Sequence, residues 1–338
     1  MLKGQPFFWT EKGFISNILL PLSAIYLFLS QLQQFFTTKK KISVPVICVG
    51  NIYIGGTGKT PTVQKISSIS QSLNKKTAIL LRGYGGKINN PTYVNAAIHS
   101  SKEVGDEALI HADKFDTWVS KNRFEGAKAI KDTLNPDLII LDDGLQNRSL
   151  YRDLNIAVFD GEKGIGNGRI IPAGPLRETF YSGLKNVNIV IIIGDDKFSL
   201  ENKIISLNKN ITIIKAQITP CTSTIRKIRE KSIIAFAGIG IPEKFFSMLQ
   251  RNNINLIRNI KFPDHYEYTK NEVYNLIKSA KEKKAVLVTT EKDYKRIYDL
   301  DQSFNQHIVS IPVTLSFNND NLLRQILEKF FSEKDKNL

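Results

Sequence analysis

The sequence predicts an α/β protein with a mostly parallel sheet that is flanked by helices. Short apolar runs of strand length alternate with helical stretches, which is the pattern of a doubly wound sheet. The first of these runs leads into a glycine-rich turn that ends in Gly-Lys-Thr, and this layout indicates a fold of the P-loop NTPase type. A chain of 338 residues has room for two domains of about 150 residues each.

We expect an N-terminal amphipathic helix in residues 1–40, a P-loop domain in 41–220 and a smaller α/β domain in 221–338. From Phe14 to Phe36, one helical face is apolar and a narrow stripe beside it is polar. The apolar positions are Phe14, Ile18, Leu22, Ile25, Leu29, Leu32 and Phe36, and the polar ones are Ser16, Ser23, Ser30 and Thr37.

This N-terminal pattern favours partial immersion at a membrane surface, with Lys39, Lys40 and Lys41 against acidic headgroups. A spanning helix and a plain core helix are the alternatives. A span needs about 20 nearly uninterrupted apolar residues, and Asn17 and Pro21 interrupt this stretch. No small-residue cleavage site follows clearly, so a removed signal peptide is not predicted.

Apolar runs predict the strands of both domains. In the P-loop domain they are Val44–Gly50, Thr77–Arg82, Asp137–Leu141, Asn155–Phe159 and Asn188–Ile193, with helices such as Thr62–Leu73 and Asp106–Lys114 between them. The pattern weakens in residues 208–225, and the stretch from Pro220 to Thr224 indicates a linker. The second domain is predicted to contain strands Ser232–Ala237, Ala285–Thr289 and His307–Val313 and helices Glu243–Gln250 and Asn271–Lys284. Residues after Ser332 are expected to fray.

The glycine-rich turn is a candidate cradle for nucleotide phosphates. It consists of Gly55, Gly56, Thr57 and Gly58, and its glycines let the backbone aim successive N–H groups inward. In such a loop Lys59 reaches the β- and γ-phosphates and Thr60 ligates Mg²⁺. Tyr53 stands where the usual motif has its first glycine. The sequence therefore predicts that ATP or GTP binds here.

Other polar residues follow predicted strands or prolines. Asp142 and Asp143 come directly after an apolar strand, where a P-loop protein holds its Mg²⁺, although a solvated turn is the alternative. Asp106 begins a helix, where a cap is the simpler interpretation. Arg177 and Glu178 follow two prolines, and either the Arg177 guanidinium binds phosphate oxygens or the segment is a surface turn. His265 matters only if it pairs across domains.

The composition of the chain indicates which classes of ligand the protein can bind. The net charge of +15 favours anionic ligands, either phospholipid surfaces or phosphorylated substrates. Nucleic acid is the weaker choice, because no aromatic-interleaved basic motif or helix-turn-helix signature occurs. Cys48 and Cys221 lie far apart and suggest a reducing compartment, with neither a disulfide nor a metal site. No obligate protein partner is evident.

A series of ordered blocks resembles the tetraacyldisaccharide 4'-kinase family, the inner-membrane lipid A kinases of Gram-negative bacteria. The blocks are residues 49–61, 81–86, 104–107, 141–146, 166–169 with 172–178, 237–242, 262–266 and 289–293. The resemblance implies transfer of the ATP γ-phosphoryl group, with Mg²⁺, to the 4'-hydroxyl of a tetraacylated glucosamine disaccharide 1-phosphate. It also implies a location on the cytoplasmic face of the bacterial inner membrane.

The resemblance further implies roles for individual residues. Lys59 and Thr60 handle the phosphates and Mg²⁺, and the metal is served by Asp142 and Asp143. Asp106 is the base that receives the sugar hydroxyl proton, with His265 as its partner from the other domain, after a domain closure. Arg177 stabilises transition-state charge, and the supporting groups are Glu107, Arg123 and Glu178. One departure is Asn147, where we would expect His.

Two other functions stay open at this point. A membrane-tethered regulatory P-loop ATPase of the partitioning type carries a lysine just before the paired glycines, whereas this chain has Ile54 there. A GTP-dependent metallochaperone would need metal-delivery spacing of cysteines and histidines and an Asn-Lys-x-Asp motif, and neither occurs. The ordered blocks favour the kinase over both.

Overall fold

The computed structural model describes residues 6–336, and their strands form two sheets. The strands are β1 (Val46–Gly50), β2 (Thr77–Leu81), β3 (Thr92–Tyr93), β4 (Asp116–Val119), β5 (Leu138–Asp142), β6 (Leu154–Asp160), β7 (Ile189–Ile193), β8 (Thr212–Pro220), β9 (Ile233–Ala237), β10 (Leu256–Lys261), β11 (Val286–Thr290), β12 (Ile308–Ile311) and β13 (Val313–Phe317).

Helices cover the sheets. They are α1 (Phe14–Ile18), α2 (Leu20–Phe35), α3 (Lys59–Ser72), α4 (Ser101–Val104), α5 (Asp106–Ala112), α6 (Arg123–Leu134), α7 (Phe180–Leu184), α8 (Leu200–Leu207), α9 (Thr222–Ile228), α10 (Pro242–Arg251), α11 (Lys270–Glu282), α12 (Glu291–Leu300) and α13 (Asp320–Asp335). Two short 3₁₀ turns, Phe7–Trp9 and Gln302–His307, complete the described elements.

The large sheet has the order β13-β8-β7-β6-β1-β5-β2-β4-β3, with β1 at its centre. All its pairs are parallel except those of the two edge strands, β3 with β4 and β13 with β8. The four strands β1, β2, β5 and β7 are buried along their whole length, as expected for a sheet covered on both faces. The predicted mostly parallel α/β fold is confirmed.

The small sheet is parallel throughout, in the order β10-β9-β11-β12. It is inserted between two neighbouring strands of the large sheet, since the chain leaves after β8 and returns in β13. At this crossing the amide of Cys221 donates to the carbonyl of Pro312 at 2.8 Å. The segment 221–338 is therefore not a single C-terminal unit, because β13 and α13 join the large sheet.

Three predicted boundaries were wrong. Strand β8, in which buried Ile214 and Ala216 alternate with exposed Lys215, fills residues 212–220 of the region where the pattern weakens, and α9 begins at Thr222 inside the predicted linker. The predicted strand His307–Val313 is split between two sheets at Pro312. Helix α13 continues to Asp335 instead of fraying after Ser332, because Phe330 and Phe331 anchor it in the large core.

The N-terminal helices dock through their polar stripe. Ser16 and Ser23 are buried, and the Ser23 hydroxyl donates to the carbonyl of Ile170 at 2.8 Å and accepts from the amide of Ala173 at 3.1 Å. The side chain of Arg169 contacts Ser16 and donates to Asn17. The predicted single helix is broken at Leu19, just before Pro21 in the first turn of α2.

The apolar face of these helices points outward. Exposed side chains on it are Phe14, Ile18, Leu22, Ile25, Phe28, Leu29, Leu32, Phe35 and Phe36. Their exposed fractions run from 43% for Leu32 to 84% for Phe35, which leaves a continuous apolar surface on one side of the protein. Among residues 6–336, no helix is long and apolar enough to cross a membrane.

The large core makes a direct stability prediction. Ile140 of β5 is fully buried, so Ile140→Ala should lower the free energy of unfolding by about 2–5 kcal/mol through lost contacts and a cavity. Ile98→Ala serves as the control, because Ile98 is 74% exposed. Its cost should stay within about 0.5 kcal/mol. Urea denaturation followed by tryptophan fluorescence measures both; equal effects would contradict the described core.

Candidate active site

The glycine-rich loop joins β1 to α3 at the carboxyl edge of the large sheet. Gly58 has φ of +90°, and a Cβ there would lie 2.4 Å from Cδ1 of Ile193, so a side chain is excluded. The Asn51 side chain braces the loop by donating to Gly55 O at 3.2 Å and to Thr57 Oγ1 at 3.1 Å. Because α3 begins at Lys59, its N-terminal amides face the loop and favour an anion. These features fit the phosphates of a nucleotide.

Asp143 lies beside two positively charged side chains, Arg177 and Lys59, at this edge of the sheet. Arg177 donates to both of its carboxylate oxygens at 3.0 and 3.1 Å, in a forked pair. Lys59 Nζ lies 3.9 Å from Asp143 Oδ2. Arg177 also donates to Gln146 Oε1 at 3.0 Å, which fixes the plane of its guanidinium. The arrangement places two positive charges beside the glycine-rich loop.

Glu178 lies behind this pair. It accepts hydrogen bonds from Gln146 Nε2 at 3.1 Å and from Ser182 Oγ at 3.1 Å. Gln146 Nε2 donates in addition to the carbonyl of Asn51 at 2.9 Å, so the amide links Glu178 and Arg177 to the end of β1. Glu178 thus supports the position of Gln146.

Asp142, the last residue of β5, is 2% exposed. Its Oδ2 lies 3.0 Å from Nε2 of the buried His111, whose ring N–H can donate to the carboxylate. Arg123 supports the backbone here, donating to the carbonyls of Asp142 at 3.2 Å and Ser120 at 3.0 Å. Burial lowers the pKa of Arg123 to about 10, so it keeps its charge at neutral pH.

The oxygens at this edge fit a Mg²⁺ ion. Asp142 Oδ1 is buried, and no hydrogen bond from residues 6–336 reaches it. Strand β5 lies next to β1, and Thr60 is in the first turn of α3, so these oxygens stand close to the loop. No group of three or more His, Cys, Asp or Glu side chains in the described chain is arranged to hold a metal alone. Mg²⁺ commonly takes one or two protein oxygens and completes its shell with phosphates and water.

The second half of the site comes from both sheets. Asp106 begins α5, and His265 lies in the loop after β10, yet His265 Nδ1 is 3.5 Å from Asp106 Oδ2. Arg296 of α12 donates to the same oxygen from Nε at 2.8 Å and also from Nη2. Burial opposes ionisation of Asp106, but the hydrogen bond with His265 and the charge of Arg296 outweigh it and hold its pKa below the usual value.

Glu107 pairs with Lys292 of α12 at 2.6 Å. The charge of Lys292, working against burial, lowers the pKa of Glu107 to about 2, and Lys59 contributes in the same direction. Burial disfavours the charged form of Lys292, but Glu107 outweighs it and raises the lysine's pKa. Gln64 of α3 donates to the carbonyl of Ile110 at 3.3 Å, so α5 packs against the helix that begins at the glycine-rich loop.

Two site residues have a backbone conformation that favours glycine. Asp143 and His265 both have φ of +55°. Such a conformation costs of order 1–3 kcal/mol for a residue with a side chain, and it persists only where the surroundings enforce it. The forked pair with Arg177 enforces it for Asp143, and the bond from the His265 amide to Gly238 O at 3.2 Å does so for His265.

Sequence reasoning missed four participants: His111, Gln146, Lys292 and Arg296. His111 follows Glu107 by four residues, and Arg296 follows Lys292 by four, so each pair shares a helix face. Lys292 and Gln146 lie in blocks quoted for the family resemblance, residues 289–293 and 141–146, but neither was given a role there.

Comparisons with known proteins show the family of this chain. The family model of the tetraacyldisaccharide-1-P 4'-kinases matches residues 15–331. The chain is 35% identical over 316 residues to a tetraacyldisaccharide 4'-kinase of Rhodopseudomonas palustris strain BisA53, covering 94% of this chain and 92% of the relative. A kinase of the same name from Bradyrhizobium sp. strain BTAi1 is 35% identical over 328 residues, 96% and 94% of the two chains.

A solved structure has the same fold. It is LpxK from Aquifex aeolicus in complex with ATP, which matches with a TM-score of 0.75 and 25% identity, covering 94% of this chain and 100% of that one. The resemblance inferred from the ordered sequence blocks is confirmed.

Gly105 holds Asp106 in place and provides a test. Its φ is +88°, and a Cβ would lie 2.5 Å from the carbonyl oxygen of Tyr84. Gly105→Ala should therefore lower the free energy of unfolding by about 3 kcal/mol or more, since a clash adds to left-handed strain. Gly85→Ala is the matched control, because Gly85 has φ of +79° but open space around it. Its cost should be about 1 kcal/mol, and equal midpoints in urea would rule out the clash.

Proposed function

The chain belongs to the tetraacyldisaccharide 4'-kinase family, and we propose that it transfers the γ-phosphoryl group of ATP to the 4'-hydroxyl of a tetraacylated glucosamine disaccharide 1-phosphate in lipid A biosynthesis. Beyond family membership, one observation carries the proposal. The carboxylate of Asp106 lies 3.5 Å from His265 Nδ1 at the start of α5, and α5 packs on the helix that begins with the P-loop lysine. Protein kinases use such a carboxylate to accept the proton of the substrate hydroxyl.

In this proposal the P-loop binds and aligns the nucleotide. Phosphoryl transfer depends mainly on alignment and neutralisation of charge. The loop amides and Lys59 hold the β- and γ-phosphates, and Arg177 turns from Asp143 to the γ-phosphoryl oxygens as charge develops there. Thr60, Asp142 and Asp143 would hold Mg²⁺, which neutralises phosphate charge when bound.

Asp106 is the proposed base, and its low pKa keeps it ionised at neutral pH. Because bond breaking runs ahead of proton transfer in a loose transition state, a weak base is sufficient. His265 orients the carboxylate from the other sheet, and Glu107 keeps α5 docked through Lys292.

The N-terminal helices support a position at the cytoplasmic face of the inner membrane. Their apolar face is exposed, and their polar stripe is fastened to the protein. A surface of that kind suits shallow insertion among lipids, and Lys39 to Lys41 follow it with three positive charges. An acceptor that carries four acyl chains would be reached from the same surface.

The decisive test follows label from γ-labelled ATP into the disaccharide acceptor in detergent micelles with Mg²⁺. Wild type should label the lipid. Lys59→Ala should lower turnover by about 10²–10³-fold through lost phosphate stabilisation. Asp106→Ala should lower it by about 10²–10⁴-fold through the lost base.

Lys65→Ala, on the same helix as Lys59, is the control and should keep near-normal turnover. Release of free phosphate without labelled lipid would instead indicate a regulatory P-loop NTPase. Near-normal turnover of Asp106→Ala would remove Asp106 from the mechanism.

Membrane attachment has a separate test. Leu29→Glu places a charge on the exposed apolar face of α2 and should weaken binding to phosphatidylglycerol-containing vesicles by about tenfold or more, the effect of losing about 1.5 kcal/mol of buried leucine. Ile98→Glu makes the same kind of change in an exposed loop and should bind as wild type does. Sedimentation with vesicles measures both, and equal binding of all three proteins would refute attachment through this face.

A further inference from the structure

Arg296 is anchored by residues beside the small sheet and also contacts Asp106, the candidate base. Its Nη1 donates to Asp293 Oδ1 at 3.1 Å and to the carbonyl of Gly238 at 3.0 Å. Asp293 is fully buried, and it also accepts from Tyr268 Oη at 3.0 Å and from Thr290 Oγ1 at 2.7 Å. The guanidinium therefore has a fixed plane and position, with only 9% of the side chain exposed.

From this anchored position Arg296 donates hydrogen bonds to one carboxylate oxygen of Asp106 and not to the other. Its Nε and Nη2 both donate to Oδ2. Among residues 6–336, no hydrogen bond is made to Oδ1 of Asp106. Arg296 thus holds the carboxylate of Asp106 through Oδ2, and Oδ1 is free to accept a proton from a hydroxyl.

The same guanidinium constrains His265. Arg296 Nη2 lies 3.2 Å from His265 Nδ1. Nη2 accordingly lies between Asp106 Oδ2 and His265 Nδ1, which are 3.5 Å apart.

We propose that Arg296 is a positioning residue for phosphoryl transfer, which orients Asp106 so that Oδ1 is the proton-accepting oxygen. This inference rests on the proposed function. As the 4'-oxygen bonds to the γ-phosphorus, the bond to the β–γ bridging oxygen breaks and ADP leaves with its electron pair. The hydroxyl proton passes to Asp106 Oδ1, and Arg296 keeps all its protons.

A purely structural role is the competing explanation, because Arg296 also joins the two sheets. Lys295 separates the two roles. It is the neighbouring residue of α12 and joins the sheets through Asp113 at 2.7 Å, but it has no contact with Asp106. Lys295→Ala removes a docking contact and leaves the carboxylate oriented.

The experiment measures kcat and KM for ATP in Arg296→Ala, Lys295→Ala and the double variant Asp106→Asn with Arg296→Ala. Arg296→Ala should lower kcat by about 10²-fold, the effect of a misplaced reacting group, with KM for ATP changed by less than about twofold. Added guanidinium ion should restore part of this loss. In the Asp106→Asn background the same change should have less than about a twofold effect, since the two residues act as a unit.

The pH profile gives a readout that docking alone would not move. The charges facing Asp106 are those of Arg296 and Lys292, and His265 shares a hydrogen bond with it. Removing the Arg296 charge raises the pKa of Asp106, so the acidic limb of kcat/KM should shift upward in Arg296→Ala and return with Arg296→Lys. Lys295→Ala should leave the limb unchanged.

Three results would overturn the inference. One is a loss of kcat in Lys295→Ala as large as in Arg296→Ala. Another is an undiminished effect of Arg296→Ala in the Asp106→Asn background. The third is a full loss that neither guanidinium nor Arg296→Lys reverses, together with a lower urea midpoint. Wild type that labels no lipid would instead overturn the proposed function, and the inference with it.

Discussion

Two ion pairs join α5 of the large sheet to α12 of the small one: Glu107 with Lys292, and Asp106 with Arg296. Each pair is partly shielded from water, so its attraction is stronger than that of a surface pair, and loss of one partner leaves a charge poorly solvated. His265 reaches Asp106 only while these helices are docked. The candidate site is therefore complete only while α5 and α12 are packed together.

The segment 164–178 serves two distant parts of the molecule. Its first half holds the N-terminal helices: Asn167 donates to the carbonyl of Phe8 at 2.8 Å, and Arg169 contacts the start of α1. Its end carries Arg177 and Glu178 to the P-loop edge. A single short stretch of backbone thus connects the exposed apolar face with the charges around the phosphate cradle.

Local patterns in the sequence were enough for the central strands, the P-loop and Asp142 with Asp143. These features depend on continuous burial and on a turn of fixed chemistry, and both can be read in a short window. Strand β13 could not be placed in this way, because its partner β8 is about ninety residues earlier in the chain. Similarly, nothing near Arg296 in the sequence indicates Asp106, since their contact depends on how two helices from different sheets pack.

The proximity of Cys221 to Pro312 bears on the order of folding. The small sheet is inserted between β8 and β13, which lie side by side in the folded protein. One edge of β8 therefore stays unpaired during synthesis until the chain beyond Pro312 has emerged. An open edge of this kind invites pairing with another chain. Folding of the small sheet before β13 pairs would bring Cys221 and Pro312 together and shorten the loop that β13 must close. The inserted domain can therefore assist the pairing of β13 with β8 as well as contribute half of the candidate active site.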